Sequence, residues 1–447
     1  MKKTTKTSVL FLAVGGTFSL FSSAQLTIAG QLRTRTEFRD GQGSPLSEGA
    51  RPAFFTSQRT RLSFSYSMFR LKLGVTAQDV HVWGQDVSTI NRTTSPDLNG
   101  LMLHEAWAEI QLTDTSFKNK MVHLRVGRQE LVYDDQRLLG NLDWLQQARR
   151  HDAAVLKYET QKWMLHLGGA FNQNKENASG AVYNNTPAGS YPATTNGGAM
   201  YKNLEYFYAG RKFKKGNVSF LFLTDQFSRY HNDSVTTAKV FERNTWNRAT
   251  TGLYFTNSLD KFTIGASAYY QFGKTAIGQT LSAELVSGSL FYSITKKITQ
   301  GAGIDYYSGG ATGTTTRVFD PLYGTPHKFS GLIDYYYAAN GFGKCGLVDY
   351  YLKSKYKPSD KFSLALDLHQ FNSAASVSGY STKNLGQEVD LAGNYAVTKQ
   401  IGIEAGYAHY FVTSLLASPS VKSVRNAKSS ADWAYVMINV KPEILCK

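Results

Sequence analysis

Short stretches in which apolar and polar residues alternate one by one recur along the whole chain. The connections between them are in turn long and short. Alternation at a period of two describes a strand whose faces meet different environments. In the first stretch Leu26, Ile28, Leu32 and Phe38 share one face, and Gln31, Arg33, Arg35, Glu37 and Arg39 the other. Leu62, Phe64 and Tyr66 then alternate with Arg59, Arg61, Ser63 and Ser65. Further on, Phe362, Leu364, Leu366 and Leu368 alternate with Lys361, Ser363, Asp367 and His369, and Val389, Leu391, Tyr395 and Val397 with Glu388, Asp390 and Asn394. Near the end Ala434, Val436, Ile438 and Val440 alternate with Trp433, Tyr435 and Asn439.

The connections choose among the folds that alternate. Long polar segments rich in Gly, Ser, Thr and Asn fall at 40–53, 84–100, 134–149, 172–200, 227–246, 308–343 and 413–430. Tight turns lie between them, at Ser67-Met68, Thr160-Gln161-Lys162, Lys214-Lys215-Gly216, Ser258-Leu259-Asp260, Thr295-Lys296-Lys297, Pro358-Ser359-Asp360 and Thr398-Lys399. Only the 273–279 connection is of middling length. A sandwich with Greek-key connections has no reason to keep this rhythm. An outer-membrane barrel does, with short periplasmic turns and longer external loops. The expectation is an all-β, transmembrane, antiparallel up-and-down β-barrel of about 18 strands. Lipid offers no hydrogen bonds, so every backbone group must pair inside the protein, and closure leaves no sheet edge. No run of 18 apolar residues occurs beyond the N-terminus, which excludes spanning helices.

The N-terminus sets the compartment. Lys2, Lys3 and Lys6 precede the apolar stretches Val9–Val14 and Phe18–Phe21, then Ser22-Ser23-Ala24. This three-part pattern predicts a signal peptide over 1–24 and a single barrel domain over 25–447. Export places the chain in the bacterial outer membrane. The formal charge is +16, of which three charges leave with the signal. Export also makes nucleic acid an unsuitable partner for that basic excess. Cys345 and Cys446 are too few for a disulfide framework and are expected at opposite ends of the barrel.

The faces turned from lipid carry the functional information. In the early strands they hold Arg33, Arg35, Arg39, Arg59, Arg61, Lys72 and Arg125, with fewer acids at Glu37, Glu105 and Glu109. Later strands turn Asp305, Asp349, Asp367, Glu388, Asp390 and Glu404 inward beside Lys353 and Lys355. An Arg-lined pore favours anions, and the planar guanidinium can hold both oxygens of a carboxylate. The competing reading is that the charges pair across the lumen and hold the barrel rigid.

The most distinctive stretch is 127–154: Gly127-Arg128-Gln129-Glu130-Leu131, Tyr133-Asp134-Asp135-Gln136-Arg137-Leu138-Leu139-Gly140, Asp143-Trp144 and Asp152-Ala153. A second is Phe319-Asp320-Pro321-Leu322-Tyr323-Gly324, His327-Lys328-Phe329, Gly331 and Asp334-Tyr335; a third is Gly346-Leu347-Val348-Asp349-Tyr350-Tyr351-Leu352-Lys353. Ser57-Gln58-Arg59-Thr60-Arg61 and Gly386-Gln387-Glu388-Val389-Asp390 are smaller echoes. Together they resemble the alginate export family of outer-membrane barrels. The resemblance implies an 18-stranded transporter with an electropositive constriction and in-folded loops that passes an anionic uronate polymer. By position Arg59, Arg61, Arg128 and Arg137 match motif arginines, and Asp152 a motif acid. Strict alternation from Val122, Leu124 and Val126 turns Arg128 toward lipid, unless a bulge at Gly127 re-aims it or it sits at the outer rim. Asp152 has the same ambiguity against Lys157.

Other candidates are weaker. Gly273-Lys274-Thr275 has Ala268 where a phosphate-binding loop needs its first Gly. The nine His show no metal-ligand spacing, and His327 reads as a packing or hydrogen-bonding residue. Asp134-Asp135 reads as a solvated turn pair. No nucleophile-elbow pattern is present. The expectation is therefore not an enzyme but a channel for passive diffusion of an anionic solute, an uronate-type (alginate-like) oligo- or polysaccharide. Its expected site residues are Arg33, Arg35, Arg59, Arg61, Arg125, Arg128, Arg137 and Asp152, with no cofactor and no metal. Expected partners are outer-membrane lipid and an anionic carbohydrate, with periplasmic export or uptake components as a further class, around a monomeric barrel. The rival readings are a non-selective porin, an outer-membrane hydrolase and a secreted soluble glycan-binding β-protein.

Overall fold

The computed structural model describes residues 25–84, 101–114, 119–172, 199–336 and 343–446. The signal peptide expected at 1–24, and nearly all of the connections expected at 84–100 and 172–200, lie outside the described residues. The strands are β1 (Gln25–Arg39), β2 (Ala53–Met68), β3 (Leu71–Val82), β4 (Met102–Gln111), β5 (Lys120–Gln129), β6 (His151–Thr160), β7 (Trp163–Phe171), β8 (Asn203–Lys212), β9 (Gly216–Asn232), β10 (Lys239–Leu259), β11 (Phe262–Lys274), β12 (Thr280–Ser293), β13 (Ile298–Tyr307), β14 (Ala311–Thr312), β15 (Thr315–Thr316), β16 (Leu347–Tyr356), β17 (Phe362–Asn372), β18 (Asn384–Ala396), β19 (Ile401–Val412), β20 (Ser430–Val440) and β21 (Glu443–Cys446).

Eighteen of them close one antiparallel barrel, as expected. Each wall strand pairs with its sequence neighbours except at two places. The short hairpin β14–β15 lies outside the ring order, with β15 pairing in parallel with the start of β12, and β13 pairs directly with β16. The ring closes where β1 meets β20, with Arg33 opposite Asn439. Below Leu32 the partner changes to β21, with Ala29 opposite Glu443. Pro442 has no N–H for the ladder, so β20 and β21 break there. The Gly30 N–H instead donates to the Pro442 carbonyl at 2.8 Å.

Alternation sorts residues between lipid and lumen. Leu62, Phe64, Val436 and Ile438 are exposed on the outside, while Trp433 and Tyr435 are buried inside. Exposed Trp163, Phe213, Phe262 and Phe362 ring the periplasmic ends, and Phe38, Phe54, Trp83 and Phe411 the outer ends. These are the aromatic girdles of a barrel in lipid.

The structure corrects several boundaries. Ser67 and Met68 end β2, and the turn falls at Phe69-Arg70 instead. The connection expected at 227–246 is mostly strand, because β9 and β10 continue as a hairpin to Asn232 and Lys239. Tyr230 packs edge-on against Phe241 and Trp246, which gives that extension contacts of its own. Two connections that were not expected, 112–119 and 373–383, complete the alternation. Cys345 is buried beside the outer end of β16, while Cys446 pairs with Leu26 at the periplasmic end. The two cysteines therefore sit at opposite rims.

Candidate functional site

Two connections leave the outer rim and fold into the lumen. They are 130–150, between β5 and β6, and 319–336 of the connection that follows β15. Apolar residues drive them inward: Leu131, Leu138, Leu139 and Leu142 from the first, and Phe319, Leu322, Tyr323 and Ile333 from the second, are all buried. Most of these join wall residues such as Val155, Leu223 and Leu285 in one core inside the barrel. The loops are also stitched together by backbone. Tyr323 N donates to Leu138 O at 3.0 Å, Gly140 N to Tyr323 O at 3.0 Å, and Thr325 N to Gln136 O at 2.8 Å. Trp144 stacks on His327 with centroids 4.1 Å apart and planes 7° apart. Asp134, Gln136, Leu142 and Ala148 all take positive φ. Such left-handed conformations cost roughly 1–3 kcal/mol each and persist only where packing over-determines them.

The basic wall holds the first loop by its carbonyls. Arg33 donates to Asp143 O at 2.7 Å, Leu145 O at 3.1 Å, Trp144 O at 3.3 Å and the Gln146 side chain at 2.9 Å. Arg35 donates to Trp144 O at 2.8 Å and lies 4.2 Å over the Trp144 ring. Arg59 reaches Gln146 O at 3.3 Å, and Nε and Nη2 both donate to the Gln31 side chain. Arg61 donates from Nε to Gln78 at 2.6 Å and from Nη2 to His104 at 3.2 Å. At the loop tip the Asp143 carboxylate meets three guanidiniums: Arg59 at 2.9 Å, and Arg33 and Arg61 each at 3.4 Å. Burial alone would raise the Asp143 carboxyl, but Arg59 and Arg33 hold it below the usual carboxylate value.

The acidic wall holds the second loop by its N–H groups. Ile333 N donates to Glu388 at 2.8 Å, and Leu332 N to Asp390 at 3.2 Å. Gly331 sits at φ +81° with the Glu388 carboxylate 2.3 Å from where a Cβ would stand, so only glycine fits. Beside them His369 meets Asp349 at 2.9 Å. Arg137, carried on the first loop, crosses to β13 and holds Asp305 with both arms, at 2.8 and 2.9 Å. It also donates to Tyr307 at 2.9 Å and to Asp135 at 2.9 Å. Arg248 holds Asp225 with two arms and Asp320 with another, tying the second loop to the wall.

The expected site residues therefore separate into four groups. Arg33, Arg35, Arg59 and Arg61 converge on the first loop. Arg137 belongs to that loop and faces the opposite wall. Arg125 is inward but apart, paired with Glu109 at 2.8 Å and stacked 4.0 Å over Trp107. Arg128 and Asp152 do not face the lumen. The β5–β6 register runs unbroken through Gly127, opposite Ala153, so alternation turns both outward near the outer rim. There they neutralise each other through a two-armed ion pair at 2.8 and 2.9 Å. Gly127 takes φ +116° and the Ala106 carbonyl stands 2.3 Å from its ideal Cβ, so a side chain is excluded there, and no bulge forms in the β5–β6 ladder. The expected site lacked Asp143, Trp144 and Gln146, although Asp143-Trp144 belongs to the 127–154 motif. The available signal was the apolar content of 130–150, out of place in a solvated loop. His327 does pack and hydrogen-bond, to Asp334 at 2.8 Å. Among the described residues no group of three or more His, Cys, Asp or Glu is placed to hold a metal ion.

Asp134 and Asp135 are not the solvated pair expected. Asp134 accepts from Tyr208 at 2.9 Å and Ser219 at 2.7 Å, and burial raises its carboxyl from 3.8 to about 6. A carboxyl raised on folding adds stability that is complete below its unfolded value and is lost as pH climbs through the folded one. Packing of the first loop should therefore loosen between about pH 4 and about pH 6 to 7 as Asp134 ionises. Amide exchange over 131–142, corrected for intrinsic pH dependence, should show this loss of protection. Asp134→Asn should abolish the trend; an equal trend in the variant would assign it to another group.

Comparison with known proteins agrees with this architecture. The sequence profile of the family described as alginate export matches residues 24–417. The chain is similar in fold to OccAB4 of Acinetobacter baumannii, with 13% identity, TM-score 0.59, and 94% of this chain and 98% of that one covered. It is similar to OccK11 (OpdR) of Pseudomonas aeruginosa, at 13% identity and TM-score 0.55 over 94% and 96% of the two chains. It is also similar to Pseudomonas aeruginosa OpdK solved with vanillate, at 12% identity and TM-score 0.55 over 94% and 99%. Among curated proteins none matches the chain.

Proposed function

This chain belongs to the alginate export family and forms a channel in the bacterial outer membrane, and from that premise we propose that its solute is an anion bearing carboxylates, of the uronate oligo- or polysaccharide class. One observation carries the reading: three guanidiniums meet a single carboxylate at the tip of the in-folded loop. The surplus positive charge lies in a lumen with low-dielectric walls, where it attracts anions. Movement is passive diffusion, and the attraction weakens as salt screens it. Two features temper a simple anion-pore picture. Most of the arginine donors are already spent on loop carbonyls and neighbouring side chains, and the opposite wall is acidic. The selective element is therefore the loop tip and its arginines rather than the whole lumen.

The test is charge reversal at that point. In planar bilayers under a salt gradient, the unmodified channel should show a reversal potential on the anion side. Arg59→Glu combined with Arg61→Glu should move it toward cations. Heat-modifiable gel mobility establishes that the variant barrel is folded. An unmoved reversal potential in a folded variant would make those charges structural and remove the basis for an anionic solute.

A further inference from the structure

The Asp143 carboxylate at the loop tip is held differently from those of Asp305, Asp152 and Asp225. Arg137 on Asp305, Arg128 on Asp152 and Arg248 on Asp225 are two-armed pairs, with distances between 2.5 and 3.0 Å. Planar fork-to-fork pairing of this kind is the strong form of the interaction. Asp143 has only single-atom approaches: one contact at 2.9 Å to Arg59, and two at 3.4 Å to Arg33 and Arg61. The Nε and Nη2 arms of Arg59 and Arg61 are committed to Gln31, Gln78 and His104. Their Nη1 atoms alone point at the acid. Burial differs as well. The arginine side chains are 4%, 1% and 13% exposed, but that of Asp143 is 43% exposed. It faces a cavity of about 280 Å³ on the periplasmic side of the tip, whose lining includes Gln31, Arg59, Arg61, Ser63 and Lys441 together with the acids Asp143 and Glu443.

We propose that this cavity is a carboxylate-binding subsite, that Asp143 is the protein's own occupant of it, and that a solute carboxylate enters by displacing Asp143. The proposal rests on the anionic-solute reading and specifies where and how the anion binds. A carboxylate arriving in the cavity meets the Nη1 atoms of Arg59 and Arg61, with the hydroxyl of Ser63 and the amide of Gln31 as hydrogen-bonding groups; Lys441 adds a cation and Glu443 an acid, so these two offset each other and the arginines supply the attraction. Exchange replaces one ion pair by another, so no buried guanidinium is left uncompensated. That is the costly intermediate a pore with bare arginines and a rigid plug would have to pass. Once Asp143 is displaced, the tip loses its ion pairs and keeps its carbonyl bonds to Arg33, Arg35 and Arg59, the bonds of Gln146 to Arg33 and Ser57, and the packing of Trp144.

Asp143→Asn keeps the side chain's size and removes the competing charge. The probe is D-glucuronate, titrated from the periplasmic side as a blocker of single-channel current, with D-glucose as the neutral control. The half-blocking concentration of glucuronate should fall about tenfold in Asp143→Asn, the scale of one charge-assisted contact. Glucose should be unaffected, and Asp143→Glu, which restores a carboxylate, should return toward the unmodified channel. Equal glucuronate block in the unmodified channel and in Asp143→Asn would overturn the exchange while leaving anion selectivity intact. Loss of anion preference in the Arg59→Glu, Arg61→Glu comparison is a separate result that bears on the solute class itself. Should Asp143→Asn fail the heat-modifiability check, Asp143→Ser gives the same comparison.

Discussion

Replacing Asp134–Gln147 with a short Gly-Ser linker should raise single-channel conductance several-fold and sharpen anion preference. The segment supplies Leu138, Leu139 and Leu142 to the core inside the barrel and receives the carbonyl-directed arms of Arg33, Arg35 and Arg59. With it removed, water fills that part of the lumen. The arginines exchange loop carbonyls for solvent and stay charged, while Asp143 is gone. The wall itself should persist, because its ladders run between strands and do not pass through the loop. The second loop loses Gln136, Leu138 and Gly140 as backbone partners and should become more mobile. Bilayer recording with matched heat-modifiability tests gives the answer. Unchanged conductance would mean that the conduction path does not pass the first loop.

Arg137→Ala should have a large effect for a single arginine truncation in the lumen. It leaves Asp305, 1% exposed, without its two-armed partner. Breaking a buried pair from one side costs about 3–5 kcal/mol, because the remaining charge is uncompensated. Ser287 still donates to Asp305 at 2.7 Å, which offsets part of that. The consequence should be local: the clamp joins the loop to β13, so the loop should detach while the barrel stays closed. Open-channel noise should rise, and protease added from the outer side should cut within 130–150. Arg137→Met combined with Asp305→Leu removes both charges and should recover much of the protection. Equal protease sensitivity in the single and double variants would show that the charge on Asp305 is not what releases the loop.

The wall was legible because its rule is local. Leu62 against Arg61, or Val436 against Tyr435, needs no knowledge of distant partners; lipid on one side and lumen on the other impose the pattern. Even the outward placement of Arg128 followed from counting twos along β5, and the family motif pulled the other way. The lumen was not legible to the same degree. Whether Arg59 faces a pore or a carbonyl depends on where 130–150 folds, and Arg59 and Asp143 are joined only through that fold. The long connections looked polar by composition, which hid the role of Leu138, Leu139 and Tyr323 as core residues. The Asp134-Asp135 pair failed for the same reason: Tyr208 and Ser219 come from strands far along the chain. The acidic residues of the later strands were found but not their purpose, since accepting Ile333 N and Leu332 N is a contact no alternation pattern encodes.

The seam has a consequence for how the molecule comes into being. Arg33 lies opposite Asn439, and Leu26 opposite Cys446. The first strand thus finds one of its two neighbours only when the last has been made. Until then the growing sheet has two raw edges, each a row of unsatisfied amides and carbonyls that lipid cannot solvate and that other chains could extend. Contacts this distant in sequence are slow to form. Insertion and closure must therefore be a late, nearly all-or-none event. A chain lacking β20 and β21 should be an aggregation-prone ribbon rather than a slightly smaller barrel.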